Sequence, residues 1–231
     1  MLVNARAAAD QLGATPMDRP DWVAVHPRTR EVYVTLTNND QRGDKIPVDK
    51  ANPRPQNLHG QILRWNEDGG DPAATHFEWD VFLLAGEAEG SRDTDGNPVP
   101  AHLTGTINGD RFSSPDGLAF DADGRLWIQT DYGDDEPAMQ AMGTNQLLCA
   151  DPSTREVRRF LVGPRGLRDY RHHLEPGLPG NVGQCAASRA ELPGQRRQNS
   201  AAVLDSSGHT GRRGCNRCLS AFRVSDSTDA A

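Results

Sequence analysis

Short runs of apolar and β-branched residues, separated by turn residues, fill the first part of this 231-residue chain. Runs of this kind, bounded by Gly, Pro, Asn and Asp, are typical of β-strands. They predict four strands at residues 22–25, 31–37, 61–65 and 77–83. A short amphipathic segment at residues 3–12, which ends at Gly13, predicts one helix before the first strand.

The same four-strand pattern then occurs a second time. Its strands are predicted at residues 116–120, 125–130, 146–148 and 157–162, and the first strands of the two units align at a shift of 95 residues. Repeated four-strand units are typical of the blades of a β-propeller. We therefore predict an all-β fold, a propeller fragment of about two blades after a short helix, against the alternatives of a meander or a sandwich. Two units are too few to close a ring.

Composition and charge exclude several classes of function. With 23 Gly and 16 Pro the chain is rich in turns, and its formal net charge of −7 argues against nucleic acid as the main partner. No run of about 18 apolar residues is present, so no membrane span is predicted. The first residues also lack the charged and apolar regions of an export signal.

Several longer motifs follow one another along the chain: TPMDRPDWVAV at 15–25, FEWD at 77–80, SPDGLAFD at 114–121 and LWIQTD at 126–131. They resemble, in the same order, segments of the PhoX-type alkaline phosphatases. The resemblance covers residues 2–166 and corresponds to the later part of the family's chain. Members of this family are six-bladed propellers that hydrolyse phosphate monoesters at a cluster of calcium and iron ions.

The resemblance implies a role for three residues. Arg19 would hold phosphate oxygens with its guanidinium fork, and Asp116 would be a ligand of Ca²⁺. Asp21 stands where the family has a metal-bridging Glu, and its shorter side chain puts the binding of Fe³⁺ in doubt. The family's iron-binding Cys belongs to the region that has no counterpart here. Cys149 does not replace it, because it lies inside a predicted strand.

Two other metal-site readings are weaker than their structural alternatives. Residues 93–97 (DTDGN) begin like a calcium loop but lack the later ligands, so we predict a surface turn. Cys185, His209, Cys215 and Cys218 fit no complete set of zinc ligands, so we predict no zinc site.

Residues 167–231 differ in kind from residues 1–166. They hold nine Arg against six acidic residues and three of the four Cys, but none of the Trp. Read one base later, permitted codons for residues 167–173 spell Cys-Glu-Ile-Thr-Gly-Ile, which is the motif expected next in the family. We therefore predict a frameshift-derived, disordered tail; the alternative is a genuine basic interaction tail.

Two carboxylates and one Arg do not make a complete site, so we expect the chain by itself to be an inactive remnant of a phosphate monoester hydrolase. One alternative is a non-catalytic β-module that binds Ca²⁺ or a partner protein. Another is a half that complements a separately encoded N-terminal half. Members of the family are exported by the twin-Arg route, and the resembling region lacks that signal, so the location of this chain stays open.

Overall fold

The computed structural model describes residues 4–133, 136–164, 167–172 and 185–189 of the chain. In these ranges the fold is mostly β-structure, as the sequence predicts. The helices are α1 (Ala5–Gln11) and α2 (Pro137–Met142), with single 3-10 turns at Asp68–Gly70 and Ala101–Leu103. The strands are β1 (Pro20–Val25), β2 (Val32–Leu36), β3 (Gln61–Glu67), β4 (Phe77–Leu84), β5 (Asn108–Gly109), β6 (Pro115–Phe120), β7 (Leu126–Thr130), β8 (Gln146–Ala150), β9 (Glu156–Val162), β10 (Leu167–His172) and β11 (Cys185–Arg189).

The first sheet is an antiparallel meander in the order β1-β2-β3-β4. Its first hairpin turns where the sequence predicts, because the His26 ring organises the turn. His26 Nδ1 accepts hydrogen bonds from the backbone N–H groups of Arg28 (3.2 Å) and Thr29 (3.0 Å). A side chain that satisfies two turn N–H groups fixes the reversal and therefore the register of the strands on either side.

The second sheet repeats this meander as β6-β7-β8-β9 and adds one short strand. β5 pairs in parallel with β9 through Asn108 and Gly109, so the sheet has the order β5-β9-β8-β7-β6. The predicted unit of four strands is thus extended by a fifth. β5 carries no apolar alternation, because its two residues are polar Asn and Gly, and a pattern-based prediction cannot detect it.

The two sheets pack face to face around a shared apolar core. Tyr33 lies at its centre, with its ring edge-to-face against Phe82 of the first sheet and Phe120 of the second, both at 5.1 Å. Ile62 from β3 and Ile128 from β7 are fully buried in the same cluster. Burying each such side chain contributes roughly 1.5–3 kcal/mol, so this interface is the main apolar core of the described fold.

Polar contacts add to the apolar contact between the sheets. Arg155, in the turn before β9, donates to the carbonyls of Val81 (3.3 Å) and Phe82 (2.9 Å) on β4 and pairs with Asp80 at 2.7 Å. Burial alone would raise the pKa of Asp80, but hydrogen bonds from Arg64 and Arg155 outweigh it and lower the pKa. Asp80 is therefore held as a carboxylate between two arginines.

The predicted helix at residues 3–12 is found as α1, which stops before Gly13. Gly13 takes a left-handed φ of 65°, the conformation that ends helices most easily in Gly. No residue of α1 is buried. No helix in the described part of the chain is long and apolar enough to cross a membrane.

In the segment for which the sequence predicts disorder, the structure describes one antiparallel pair, β10 with β11. For these two strands the expectation of disorder differs from the structure. Backbone N–H and C=O groups alone can form such a ladder, so hydrophobic periodicity gives no warning of it. The rest of the tail, with His209, Cys215 and Cys218, lies outside the described residues.

Replacing Ile128 by Ala should test the shared core. We expect the free energy of unfolding to fall by about 2–5 kcal/mol, because the truncation leaves a cavity between the sheets. Urea denaturation measures it. The control is Val162→Ala on β9, where the side chain is 51% exposed and the change should stay within about 0.5 kcal/mol. Equal effects at the two positions would contradict the packing described.

Candidate functional site

Two equivalent turns open the first strand of each repeat. Arg19-Pro20-Asp21 leads into β1, and Ser114-Pro115-Asp116 leads into β6 at the shift of 95 residues. Arg19 and Ser114 have left-handed φ angles of 49° and 50°. Such angles cost non-glycine residues about 1–3 kcal/mol and cluster at functional sites. Both turns are followed by a bulge in the strand pairing.

Each turn is closed by the same backbone hydrogen bond. The N–H of Thr37 donates to the carbonyl of Arg19, and the N–H of Asp131 donates to the carbonyl of Ser114, both at 3.1 Å. Thr37 and Asp131, which each follow the second strand of their repeat, are thereby held next to the turn. Because they make the same hydrogen bond, they are equivalent positions of the repeat.

A cleft of about 650 Å³ lies where the two turns meet. The structure places in it all three residues that the resemblance singled out, Arg19, Asp21 and Asp116. Six further residues line the cleft: Pro20, Trp22, Thr37, Gly117, Gln129 and Asp131. Asp131 was not predicted as a site residue. Its position at the end of a strand, in the LWIQTD motif, could have identified it as one.

Thr35 joins the two turns across the sheets. Its hydroxyl accepts a hydrogen bond from the backbone N–H of Trp22 at 3.0 Å and donates to the carbonyl of Asp116 at 2.7 Å. Thr35 has no exposed surface. The backbone of Asp116 is therefore fixed relative to the strand that carries Asp21.

Asn38 makes a second connection between the turns. Its Oδ1 accepts a hydrogen bond from Arg19 Nη1 at 2.6 Å, and its Nδ2 lies 3.4 Å from the hydroxyl of Ser114. Behind Ser114, hydroxyl contacts continue through Ser113 (3.2 Å) to His59 Nδ1 (3.0 Å). The Arg19 guanidinium is thus connected to a buried hydrogen-bond chain.

A buried ion pair lies beneath Arg19. Asp18 and Arg42 have no exposed side-chain surface and are 2.8 Å apart. The Asp18 carboxylate also accepts hydrogen bonds from the side-chain amides of Asn39 (2.9 Å) and Asn57 (3.1 Å). A buried charge is tolerated when it is paired and hydrogen-bonded in this way. The pair fixes the residue immediately before Arg19 and so supports its strained backbone.

Gln129 lines the cleft, and its amide nitrogen is buried. Its Nε2 has no hydrogen-bond partner among the described residues, and its side chain is 7% exposed. Gly117 lies directly against it, since a Cβ at residue 117 would come within 1.8 Å of Gln129 Oε1. A side chain at residue 117 would therefore displace Gln129 from its place in the cleft wall.

His59 is held uncharged beneath the site. Burial, with the charges of Arg54 and His102, lowers the pKa of His59 to about 4. Burial also lowers the pKa of Arg54 to about 10, which keeps this guanidinium charged at neutral pH. Arg54 donates to the carbonyl of Ala85 at 2.7 Å and to Asn57 Oδ1 at 2.7 Å.

The described residues do not form a metal centre by themselves. No group of three or more His, Cys, Asp or Glu in that part of the chain is arranged to hold a metal ion. Asp21 is exposed and Asp116 and Asp131 are half-buried, and all three line the cleft. The ligand set that the resemblance implies therefore does not fit here without residues from elsewhere.

The other predicted candidates take structural roles where they are described. Asp93 Oδ1 accepts hydrogen bonds from the backbone N–H groups of Asp95 (3.0 Å) and Asn97 (2.8 Å), so residues 93–97 form an exposed turn, as predicted. Cys149 is buried in β8, also as predicted.

Comparison with known proteins gives the family. The family model described as "Alkaline phosphatase PhoX" matches residues 1–167. The chain therefore belongs to the PhoX alkaline phosphatase family. Among solved structures it is similar to Pseudomonas fluorescens PhoX in complex with vanadate, a transition state analogue, at 47% sequence identity and a TM-score of 0.60.

That match covers 71% of this chain and 28% of the Pseudomonas fluorescens chain. The present chain thus spans less than a third of the length of its solved relative. A search of the curated proteins finds no match.

Removing the Asp18 charge tests the buried pair. Asp18→Asn should lower the free energy of unfolding by about 3–5 kcal/mol in urea, because the buried Arg42 would keep only its longer, 3.4 Å contact with the part-exposed carboxylate of Asp49. The matched control is Asp123→Asn in the Asp123–Arg125 pair, where the Asp123 side chain is 66% exposed. That change should cost less than about 1 kcal/mol. A loss below 1 kcal/mol for Asp18→Asn would contradict a supporting role for the pair.

The depressed pKa of His59 predicts a dependence of stability on pH. Between about pH 6.5 and 4, the unfolded chain binds a proton at His59 that the folded chain does not. The free energy of unfolding therefore decreases by roughly 3 kcal/mol as the pH is lowered through this range. His59→Gln should reduce this slope, whereas His76→Gln, at an exposed position, should leave it unchanged. Urea denaturation at pH 7 and pH 4.5 decides, and identical slopes in the two variants would refute the assignment.

Proposed function

We propose that the described residues are the oxyanion-binding part of a site for phosphate monoester hydrolysis. The observation that carries the proposal is the position of Arg19, on a strained turn at the mouth of the cleft shared by the two repeats. Membership of the PhoX alkaline phosphatase family supports this reading. So does the similarity to a protein whose structure holds vanadate.

Arg19 has the chemistry for a phosphoryl group. One guanidinium nitrogen, Nη1, is held by Asn38, which orients the planar fork. In the described part of the chain the guanidinium makes no other hydrogen bond or ion pair. Its remaining N–H groups can therefore donate in parallel to two oxygens of a phosphate, a geometry in which Arg binds best.

The three carboxylates of the cleft cannot bind an oxyanion themselves, because they carry like charge. Asp21, Asp116 and Asp131 are suited to a cation, and the family is in general metal-dependent. The described residues do not form a metal centre, so what they supply by themselves is the binding and orientation of the phosphoryl group. We infer that the chain has no turnover alone, and that Ca²⁺ and Fe³⁺ would bind only in a more complete assembly.

We further propose that the two sheets are two blades of a β-propeller. Both are antiparallel meanders with the same register, and the shift between equivalent residues is 95 in the first strand (Val23 and Leu118) and 85 in the third (Ile62 and Leu147). The second candidate function, a half that complements the rest of a PhoX protein, is favoured by one observation. Val23 and Val25 of β1 are 54% and 45% exposed on an apolar face of the first sheet.

Vanadate binding tests the role of Arg19. We expect the purified chain to broaden the ⁵¹V resonance of vanadate, and Arg19→Lys to weaken binding about tenfold or more, since losing a bidentate charged contact costs about 1.5–3 kcal/mol. The control is Arg92→Lys, an exposed arginine in another loop, which should bind like the unaltered chain. Equal binding by Arg19→Lys, or no vanadate binding by the unaltered chain, would contradict the proposal.

A further inference from the structure

A chain of hydrogen bonds leads from Arg19 into the buried interior between the two turns. Arg19 Nη1 donates to Asn38 Oδ1 at 2.6 Å, and the nitrogen of the same amide, Nδ2, donates to the Ser114 hydroxyl at 3.4 Å. The Ser114 hydroxyl lies 3.2 Å from that of Ser113, which lies 3.0 Å from His59 Nδ1. The two serines have no exposed surface and His59 is 4% exposed, so the chain ends inside the fold.

The donors and acceptors of this chain fit together in one direction. A guanidinium can only donate, so Asn38 turns Oδ1 toward Arg19 and Nδ2 toward Ser114. Among the described residues the Ser114 hydroxyl has hydrogen bonds only with Asn38 and Ser113, so its own proton can go only to the oxygen of Ser113. Ser113 in turn donates to His59, and Nδ1 of the imidazole is the acceptor.

His59 has the protonation state that this direction requires. Burial, with the charges of Arg54 and His102, lowers the pKa of His59 to about 4, so the ring is neutral at neutral pH. A neutral imidazole carries its one proton on either Nδ1 or Nε2. The hydrogen bond from Ser113 selects the form with the proton on Nε2, because only a bare Nδ1 can accept.

The loop between β2 and β3, which carries His59, supports both turns of the cleft. In the first turn, Arg42 of this loop pairs with the buried Asp18. His59 contacts Ser113, the residue equivalent to Asp18 at the shift of 95 residues, and its carbonyl accepts a hydrogen bond from the N–H of Ser114 at 2.8 Å. Each turn is therefore anchored directly before its left-handed residue by a side chain of the same loop.

Burial excludes a nucleophilic role for the two serines. A Ser hydroxyl beside a His is a common arrangement of nucleophile and base. Ser113 and Ser114 have no exposed surface, however, and neither lines the cleft. Their oxygens are therefore not in contact with a phosphorus atom bound there, and the chain acts only through the group at its exposed end, Arg19.

We infer that His59 is a positioning residue for Arg19. As the last acceptor of the chain it fixes the amide of Asn38, and this amide holds the guanidinium fork before a phosphoryl group arrives. A long arginine side chain that is already ordered loses less conformational entropy on binding. The inference rests on the proposed function, in which Arg19 binds the phosphoryl oxygens.

A matched pair of substitutions at His59 tests the inference in the full chain. Asn and Leu have the same branched shape, but only Asn places an acceptor oxygen where His59 has Nδ1. We expect His59→Leu to weaken vanadate binding about two- to tenfold, the effect of one lost hydrogen bond, and His59→Asn to restore most of it. His76→Leu, at an exposed position, should bind like the unaltered chain. Circular dichroism checks that all three variants keep the fold.

A double-mutant cycle shows whether the effect passes through Arg19. In the Arg19→Lys chain, His59→Leu should cause little further loss of vanadate binding, because the group that His59 positions has gone. A loss of the same size in both backgrounds would indicate general damage to the cleft and would overturn the inference. Equal binding by His59→Leu and His59→Asn would overturn it as well.

NMR of the unliganded chain separates this inference from the proposed function. The ¹⁵N shifts of the His59 ring distinguish a bare nitrogen from a protonated one, and we expect a bare Nδ1 at pH 7. Relaxation of the Arg19 Nε–H group should show a more mobile side chain in His59→Leu than in His59→Asn. A proton on Nδ1, or equal mobility in the two variants, would overturn the inference. If both signals are as expected but the chain binds no vanadate, the proposed function fails and the positioning by His59 stands.

Discussion

Each of the two sheets that form the core has two apolar faces, and a sheet of that kind must be covered on both sides. The rest of the structure depends on this constraint. The inner face of the first sheet, around Tyr33, is covered by the second sheet, and their contact forms the main core. The outer face, around Val23 and Val25, is left partly exposed. Stacked repeat units show the same behaviour, because each unit contributes only one half of every interface.

The candidate site is a consequence of that stacking. When the sheets pack, the turns that begin β1 and β6 come side by side, and Thr35 and Asn38 connect them. The buried pair of Asp18 and Arg42 then supports the strained residue Arg19 from below. A single repeat would have one turn and no cleft. Asp21 and Asp116 are therefore brought together only when the two repeats pack.

The strands could be predicted from sequence because β-branched runs and turn residues act locally. The repeat could be predicted because the same order of four strands and turns occurs twice, although the loops between the strands differ in length. Arg19, Asp21 and Asp116 were singled out through the resemblance, and only the structure shows that they share a cleft. Asp131 and Gln129 were missed because their place depends on the register of β7 beside β6. Asp18 and Arg42 look like solvated charges in sequence, and the two-residue β5 and the backbone pairing of β10 with β11 leave no hydrophobic pattern.

The central claim is that the first turns of two successive repeats together form one oxyanion site. A crystal structure of the chain soaked with vanadate tests it most directly. The account predicts vanadate in the cleft between the two turns, with its oxygens accepting hydrogen bonds from the guanidinium of Arg19. Vanadate bound elsewhere on an intact fold, with the cleft empty, would contradict it.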